Sequence, residues 1–193
     1  MTDAALPARK RALRAEIAAR VASLDSEARR RMDAAVADRA ASLVAERDAG
    51  VIFAYAALPD EVETRGLLAR LAEEGRTVCV PRVREGRRLA WGRLRDVARD
   101  LAPGTMGIDE PRVLDAGDLH PDLVLAPGRA FDRQGGRLGR GGGYYDRFFA
   151  NRSGGELLCG LCYAVQVVFR VPRGPRDVAV DRVLTDEGEV TVL

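Results

Sequence analysis

Four apolar runs constrain this chain more than anything else in it. They are VIFAYAAL (51–58), TVCVPRV (77–83), DLVLAPG (122–128) and LLCGLCYAV (157–165). Runs this short and this apolar read as strands buried on both faces, as in a parallel sheet covered by helices. The segments between them supply the helices. Residues 7–23 and 26–47 read as two, with Asp25 or Ser26 as the N-cap of the second. PDEVETRGLLARLAEEG (59–75) reads as a third, entered through Pro59 and Asp60 and closed by Gly75. RLAWGRLR (88–95) alternates and reads as a strand nearer a sheet edge, and VVFRVP (167–172) and VLTDEGEVTVL (183–193) add further strands. The alternation predicts an α/β fold with a mostly parallel sheet flanked by helices, and 193 residues suit one domain.

Several function classes drop out. No apolar run reaches the ~18 residues of a membrane span, and the charged, amphipathic start MTDAALPARKRALRAEIAARV lacks the apolar centre of a signal peptide. A cytoplasmic protein is expected. A net charge of +2 does not argue for nucleic acid. The basic stretch Arg82–Arg95 is hardly interleaved with aromatic residues and reads as a solvated strand-and-turn face. Cys79, Cys159 and Cys162 are too few and odd in number for a disulfide framework. The spacing of Cys159 and Cys162 in a strand sends their side chains to opposite faces, against a redox pair or a zinc site. His120 is the only histidine, with no Ser or Cys nucleophile motif beside it, so a hydrolytic triad is not expected.

The segment RLGRGGGYYDRFF (137–149) follows a buried strand and precedes a helix beginning near Tyr144. In open α/β sheets, ligands bind beyond the carboxyl ends of the strands. Glycines there let backbone N–H groups converge on phosphate oxygens. A helix N-terminus adds donors, and Arg137 and Arg140 add charge. The segment therefore reads as a phosphate cradle, with core tyrosines and a helix-start carboxylate as the structural alternative. It is not a P-loop, because no lysine follows the glycines, and Tyr144 breaks the G-x-G-x-x-G pattern. Asp146 is a candidate Mg²⁺ ligand.

The missing lysine has one possible source. Among the 31 basic residues only Lys10 is a lysine. At 100° per residue, Arg14, Ile17 and Val21 lie within about 40° of Lys10, so both cations ride on the apolar stripe of the first helix. Two like charges one turn apart and half-buried require a counter-charge. A bound anion meets that need, and so does a carboxylate of the protein.

Several motifs stand in one order: KRALR, LPDEVET, GIDEP, APGRAFDRQGGRLGRGGGYYDRFF, YAVQ and RDVAVDRVLTDEG. In this the chain resembles the 5-formyltetrahydrofolate cyclo-ligase family, from Lys10 to about Thr185. The resemblance implies a Rossmann-like sheet related to the sugar-isomerase and CoA-transferase group. It implies ATP- and Mg²⁺-dependent ring closure of a reduced folate. A monomer with no nucleic-acid or membrane partner is expected. Lys10 and Arg14 match the family's phosphate-binding pair, with Arg140 counted among the catalytic cations. Arg137, Leu138, Gly139, Arg140, Gly141, Gly142, Gly143, Tyr144 and Tyr145 match its ATP loop, of which Arg140 to Tyr144 also border the folate. Asp146 and Asp177 match metal positions, with Asp181 a nearby candidate. Glu61 matches a substrate contact, a helix-start carboxylate being its structural alternative, and Ala56 would line the pterin pocket. The chain departs from the family pattern at Arg176, where many members have His. It departs also at Gly136, where many have an aromatic or amide residue, and at Met106, where some have an aromatic. A related ATP-dependent ligase or kinase on another pterin-like substrate, and a non-catalytic nucleotide- or RNA-binding module, are the competing readings.

Overall fold

The computed structural model describes residues 5–151 and 154–192. Two helices open the chain, α1 (Ala5–Ala22) and α2 (Ser26–Glu46). Asp25 caps α2 by accepting from the backbone N–H groups of Glu27 and Ala28. Then come β1 (Val51–Phe53), α3 (Arg65–Glu73), β2 (Thr77–Arg84), β3 (Arg88–Leu94), the short α4 (Val97–Asp100), β4 (Leu101–Pro103) and β5 (Asp109–Pro111). The chain continues through β6 (Leu123–Pro127), β7 (Ala130–Phe131), β8 (Arg137–Leu138), α5 (Tyr144–Ala150), β9 (Leu157–Leu161), β10 (Arg182–Leu184) and β11 (Glu189–Val190).

The main sheet has the order β11-β10-β9-β6-β1-β2-β3. Strands β10, β9, β6, β1 and β2 run parallel, while β3 and β11 close the two edges antiparallel. The α/β class and the edge position of residues 88–95 are as the sequence predicts. Burial alternates along the strands. Ile52, Val78, Leu123, Leu125 and Cys159 pack with α1, α2 and α3 on one face. Phe53, Cys79, Val124 and Leu158 pack with Trp91 and Phe149 on the other. Cys159 and Cys162 fall into opposite clusters, both fully buried and unbridged. Burial pushes the Cys79 thiol up to about 12 and raises the other two as well. These are core residues, not reactive ones.

Three sequence expectations need correction. The apolar run 51–58 pairs as a strand only over Val51–Phe53. Residues 54–64 form a loop, and the helix begins at Arg65, not at 59. Side chains of the loop satisfy its backbone instead of a helix. Thr64 Oγ1 donates to the Tyr55 carbonyl (2.6 Å), Glu61 accepts from Leu58 N (3.0 Å), and Asp33 accepts from Glu63 N (3.0 Å). VVFRVP is not a strand: Val167 makes a single bridge to Phe131, Val168 N donates to the Phe131 carbonyl, and Phe169 is exposed. Among the described residues, no helix is long and apolar enough to cross a membrane.

Candidate active site

Parallel strands bring their carboxyl ends to one edge of the sheet. The loops after β1, β6 and β9 therefore converge there, and α1 and residues 174–178 close over them. The β6–β8 stretch is held rigidly. Gln166, of the YAVQ motif, donates to the Gly128 and Arg129 carbonyls (3.1 and 3.0 Å) and accepts from Tyr163 N (2.8 Å). Asp132, fully buried, accepts from Gln134, Gly136 and Val171 N–H groups at 2.7–2.9 Å. A Cβ on Gly136 would lie 2.4 Å from that carboxylate, so this chain has no room for a larger residue there.

Residues 137–143 then form the cradle. Arg137 and Leu138 are buried on β8. The Arg137 guanidinium donates to the Pro127 carbonyl and to Asp146 Oδ1 (3.2 and 2.9 Å), and lies over the rings of Tyr145 and Phe149. Gly141 and Gly143 have φ of 108° and 69°, which a side-chain-bearing residue rarely adopts. Gly142 is glycine for a different reason, since a Cβ there would lie 2.4 Å from the Tyr144 ring. Helix α5 has seven residues and begins at Tyr144, where the sequence predicts it.

The far end of the chain reaches this loop. Arg14 Nε donates to the Gly139 carbonyl (2.8 Å). Burial lowers the Arg14 pKa from its ordinary value, Asp177 opposing and Arg129 adding. Lys10 Nζ donates to both oxygens of Asp177 (2.6 and 2.5 Å), and Gly174 N also donates to that carboxylate (2.5 Å). Asp146 accepts from Val178 N (3.4 Å), the residue after Asp177, so Asp146 and Asp177 reach the same corner. Asp181 does not join them. It accepts from Leu158 N (2.8 Å) at the amino end of β9. Arg176, beside Asp177, is exposed, and Met106 lies in the turn Thr105–Gly107. Among the described residues no group of three or more His, Cys, Asp or Glu side chains is arranged to hold a metal ion.

Glu61 faces the cradle from the loop after β1. It is buried and four residues ahead of α3, so it is no helix-start carboxylate. Its Oε1 accepts from Arg140 Nε (3.0 Å). Its carbonyl accepts from Arg29; the Tyr163 hydroxyl lies 3.2 Å from it and gives its one proton to Asp33 (2.6 Å). Ala56 is half-buried on the same loop. The Tyr145 hydroxyl is buried with no hydrogen-bond partner among the described residues, and so is Arg137 Nε. Burial pushes the Tyr145 pKa up, Glu61 adding and Arg137 opposing, so the hydroxyl keeps its proton.

Two residues here escape sequence reasoning. Asp60 ion-pairs through one oxygen with Arg140 and through the other with Arg129. Asp60 adjoins Glu61 within LPDEVET, which is a weak signal. Nothing in the sequence marks Arg129.

The family model described as the 5-formyltetrahydrofolate cyclo-ligase family matches residues 7–186. The 5-formyltetrahydrofolate cyclo-ligase of Mus musculus is 27% identical over 194 residues, covering 92% of this chain and 94% of that protein. The one from Mycolicibacterium smegmatis is 31% identical over 155 residues, covering 74% and 76%. The solution structure of Aquifex aeolicus 5,10-methenyltetrahydrofolate synthetase superposes with a TM-score of 0.80 at 30% identity, over 93% of this chain and 91% of that one.

Proposed function

Because the chain belongs to the 5-formyltetrahydrofolate cyclo-ligase family, we propose that it converts 5-formyltetrahydrofolate and ATP into 5,10-methenyltetrahydrofolate, ADP and phosphate. The carrying observation is the composite corner. Two cations from α1 meet a glycine cradle and two carboxylates at the carboxyl ends of the parallel strands, with Arg14 on the Gly139 carbonyl at 2.8 Å. We take residues 1–193 to work as one domain, since neither half supplies the corner alone.

The chemistry needs positioning and charge neutralisation more than a protein nucleophile. The formyl oxygen on N5 attacks the γ-phosphorus and ADP leaves. N10 then attacks the activated carbon, loses its proton, and phosphate departs with the former formyl oxygen. Lys10, Arg14 and Arg137 through Tyr145 are assigned to ATP, with Arg140 assigned to the transferred phosphoryl group. Glu61, as an acidic acceptor, suits the amino and ring N–H groups of a pterin, and Ala56 and the Arg140–Tyr144 stretch line its pocket.

Asp146 and Asp177 are the residues that would hold Mg²⁺. Among the described residues no third carboxylate joins them, and Mg²⁺ would need only one or two protein carboxylates. The ion would supply charge neutralisation on the phosphates. For Asp177 to serve there, Lys10 would have to leave it for the nucleotide.

The test is direct. Purified protein mixed with 5-formyltetrahydrofolate and Mg-ATP should develop the near-ultraviolet absorbance of the methenyl product. ATP consumption only with a different pterin-like acceptor would overturn the substrate assignment. Salt-sensitive binding of single-stranded RNA with no turnover would overturn the enzymatic reading.

A further inference from the structure

Glu61 has two claims on it. Under the proposed reaction it accepts hydrogen bonds from the pterin. In the structure its Oε1 is already occupied by Arg140 Nε at 3.0 Å. The same guanidinium reaches Asp60 through its terminal nitrogen, so one arginine spans two adjacent carboxylates. Asp60 is itself held from the other side by Arg129. Arg129 is a rigid anchor: its N–H donates to the Leu138 carbonyl (2.6 Å), its own carbonyl accepts from Gln166, and its side chain is only 13% exposed. The cluster is two carboxylates and two guanidiniums, neutral as a whole, and it pins the glycine loop to the loop after β1.

We propose that Asp60 and Arg129 are positioning residues that restrain Arg140 until the folate arrives, so that the phosphoryl group passes to the formyl oxygen and not to water. The inference rests on the proposed reaction. With the folate absent, Arg140 is shared by Asp60 and Glu61 and is drawn away from the phosphates. When pterin donors take Glu61, one of the two charge-assisted bonds is lost. Arg140 then turns toward the γ-phosphoryl group, which is where a cation stabilises transferring charge. The competing reaction is hydrolysis. Water attacks the γ-phosphorus, the bond to the β-phosphate oxygen breaks, ADP leaves, and the water's protons pass to phosphate and solvent. Restraining Arg140 suppresses that step while leaving it available to the bound folate.

The experiment compares ADP formed without folate to methenyl product formed with it, in the full chain with Mg-ATP. Asp60→Asn keeps the side chain's shape and removes its charge, and Asp60 is 38% exposed, so folding tolerates the change. It should raise the ratio roughly three- to tenfold, the size expected from losing one partly exposed hydrogen bond. Arg129→Gln should raise it in the same direction by less, and Asp60→Glu should bring it back toward wild type. A merely structural role would lower both rates together and leave the ratio fixed, which overturns the proposal. An unchanged ratio in Asp60→Asn with normal ring closure by the wild type overturns this inference alone. No ring closure by the wild type would overturn the proposed reaction and this inference together.

Discussion

At the scale of single residues, the sequence poses a charge problem and the structure answers it. Lys10 and Arg14 share the apolar stripe of α1, and the sequence admits either a bound anion or a protein carboxylate as the counter-charge. The carboxylate is present: Asp177 takes both of its oxygens to Lys10, with side chains 18% and 16% exposed. Under the proposed function, Mg-ATP would divide this pair, lysine to phosphate and aspartate to metal. Lys10→Ala should therefore lower turnover by about 10²–10³-fold, the usual effect of losing one charge-stabilising group. It should cost about 1–3 kcal/mol of stability, because the pair is mostly buried while Asp177 keeps the Gly174 N–H. Turnover and thermal melting measured together check this. A fall of more than ten degrees with normal turnover would make Lys10 a structural residue. Asp146 has a double role as well, because it also neutralises Arg137, whose side chain is 3% exposed. Asp146→Asn should raise the Mg²⁺ concentration needed for activity and, separately, lower the melting temperature through the unpaired guanidinium. Titrating Mg²⁺ separates the two effects, and an unmoved Mg²⁺ dependence would remove Asp146 from the metal position.

At the scale of elements, what periodicity and apolar runs encode is legible in advance, and what long-range side-chain contacts encode is not. The two opening helices, the Asp25 cap, the parallel core strands and the edge strand at 88–95 follow from local pattern. The segment 59–64 does not. Its acidic residues look like a helix start, yet Glu61 and Thr64 turn inward and satisfy loop carbonyls and amides through contacts that no local propensity reports. VVFRVP misleads for the converse reason. Its β-branched residues favour a strand, but the segment meets the β7 hairpin through one bridge and finds no ladder. The glycine loop and the need of Lys10 for a counter-charge are legible in the sequence; the Asp60–Arg129 pairing, which depends on how two loops meet, is not. The loop after β1 also gives a prediction. Thr64 is fully buried and its hydroxyl donates to the Tyr55 carbonyl at 2.6 Å. Thr64→Ala should cost about 1–3 kcal/mol by stranding that carbonyl. Because the loop bears Glu61, it should also raise the KM for the folate more than that for ATP. Denaturant unfolding and the two KM values decide it, and equal changes in both KM values would show that the loop does not serve the folate side.

At the scale of the whole molecule, the site is a joint between distant parts of the chain. Helix α1 is tied to the rest by Ile17 and Val21 in the core, by Arg20 on the Val165 carbonyl, by Arg14 on Gly139 and by Lys10 on Asp177. The last two ties lie at the proposed nucleotide. A ligand bound there would bridge α1, the glycine loop and residues 174–178 at once. It would bind the folded chain and not the unfolded one, and so raise stability by mass action. At a concentration 100-fold above its dissociation constant, the gain is about 2.7 kcal/mol. For a chain of this size that corresponds to a rise of roughly 5–10 °C in melting temperature. The rise should need Mg²⁺, should largely vanish in Lys10→Ala, and should slow hydrogen exchange in the first three turns of α1 along with the cradle amides. A nucleotide that stabilised the wild type and Lys10→Ala equally, with no added protection in α1, would mean that it binds elsewhere, and that the two ends of the chain meet for folding and not for ATP.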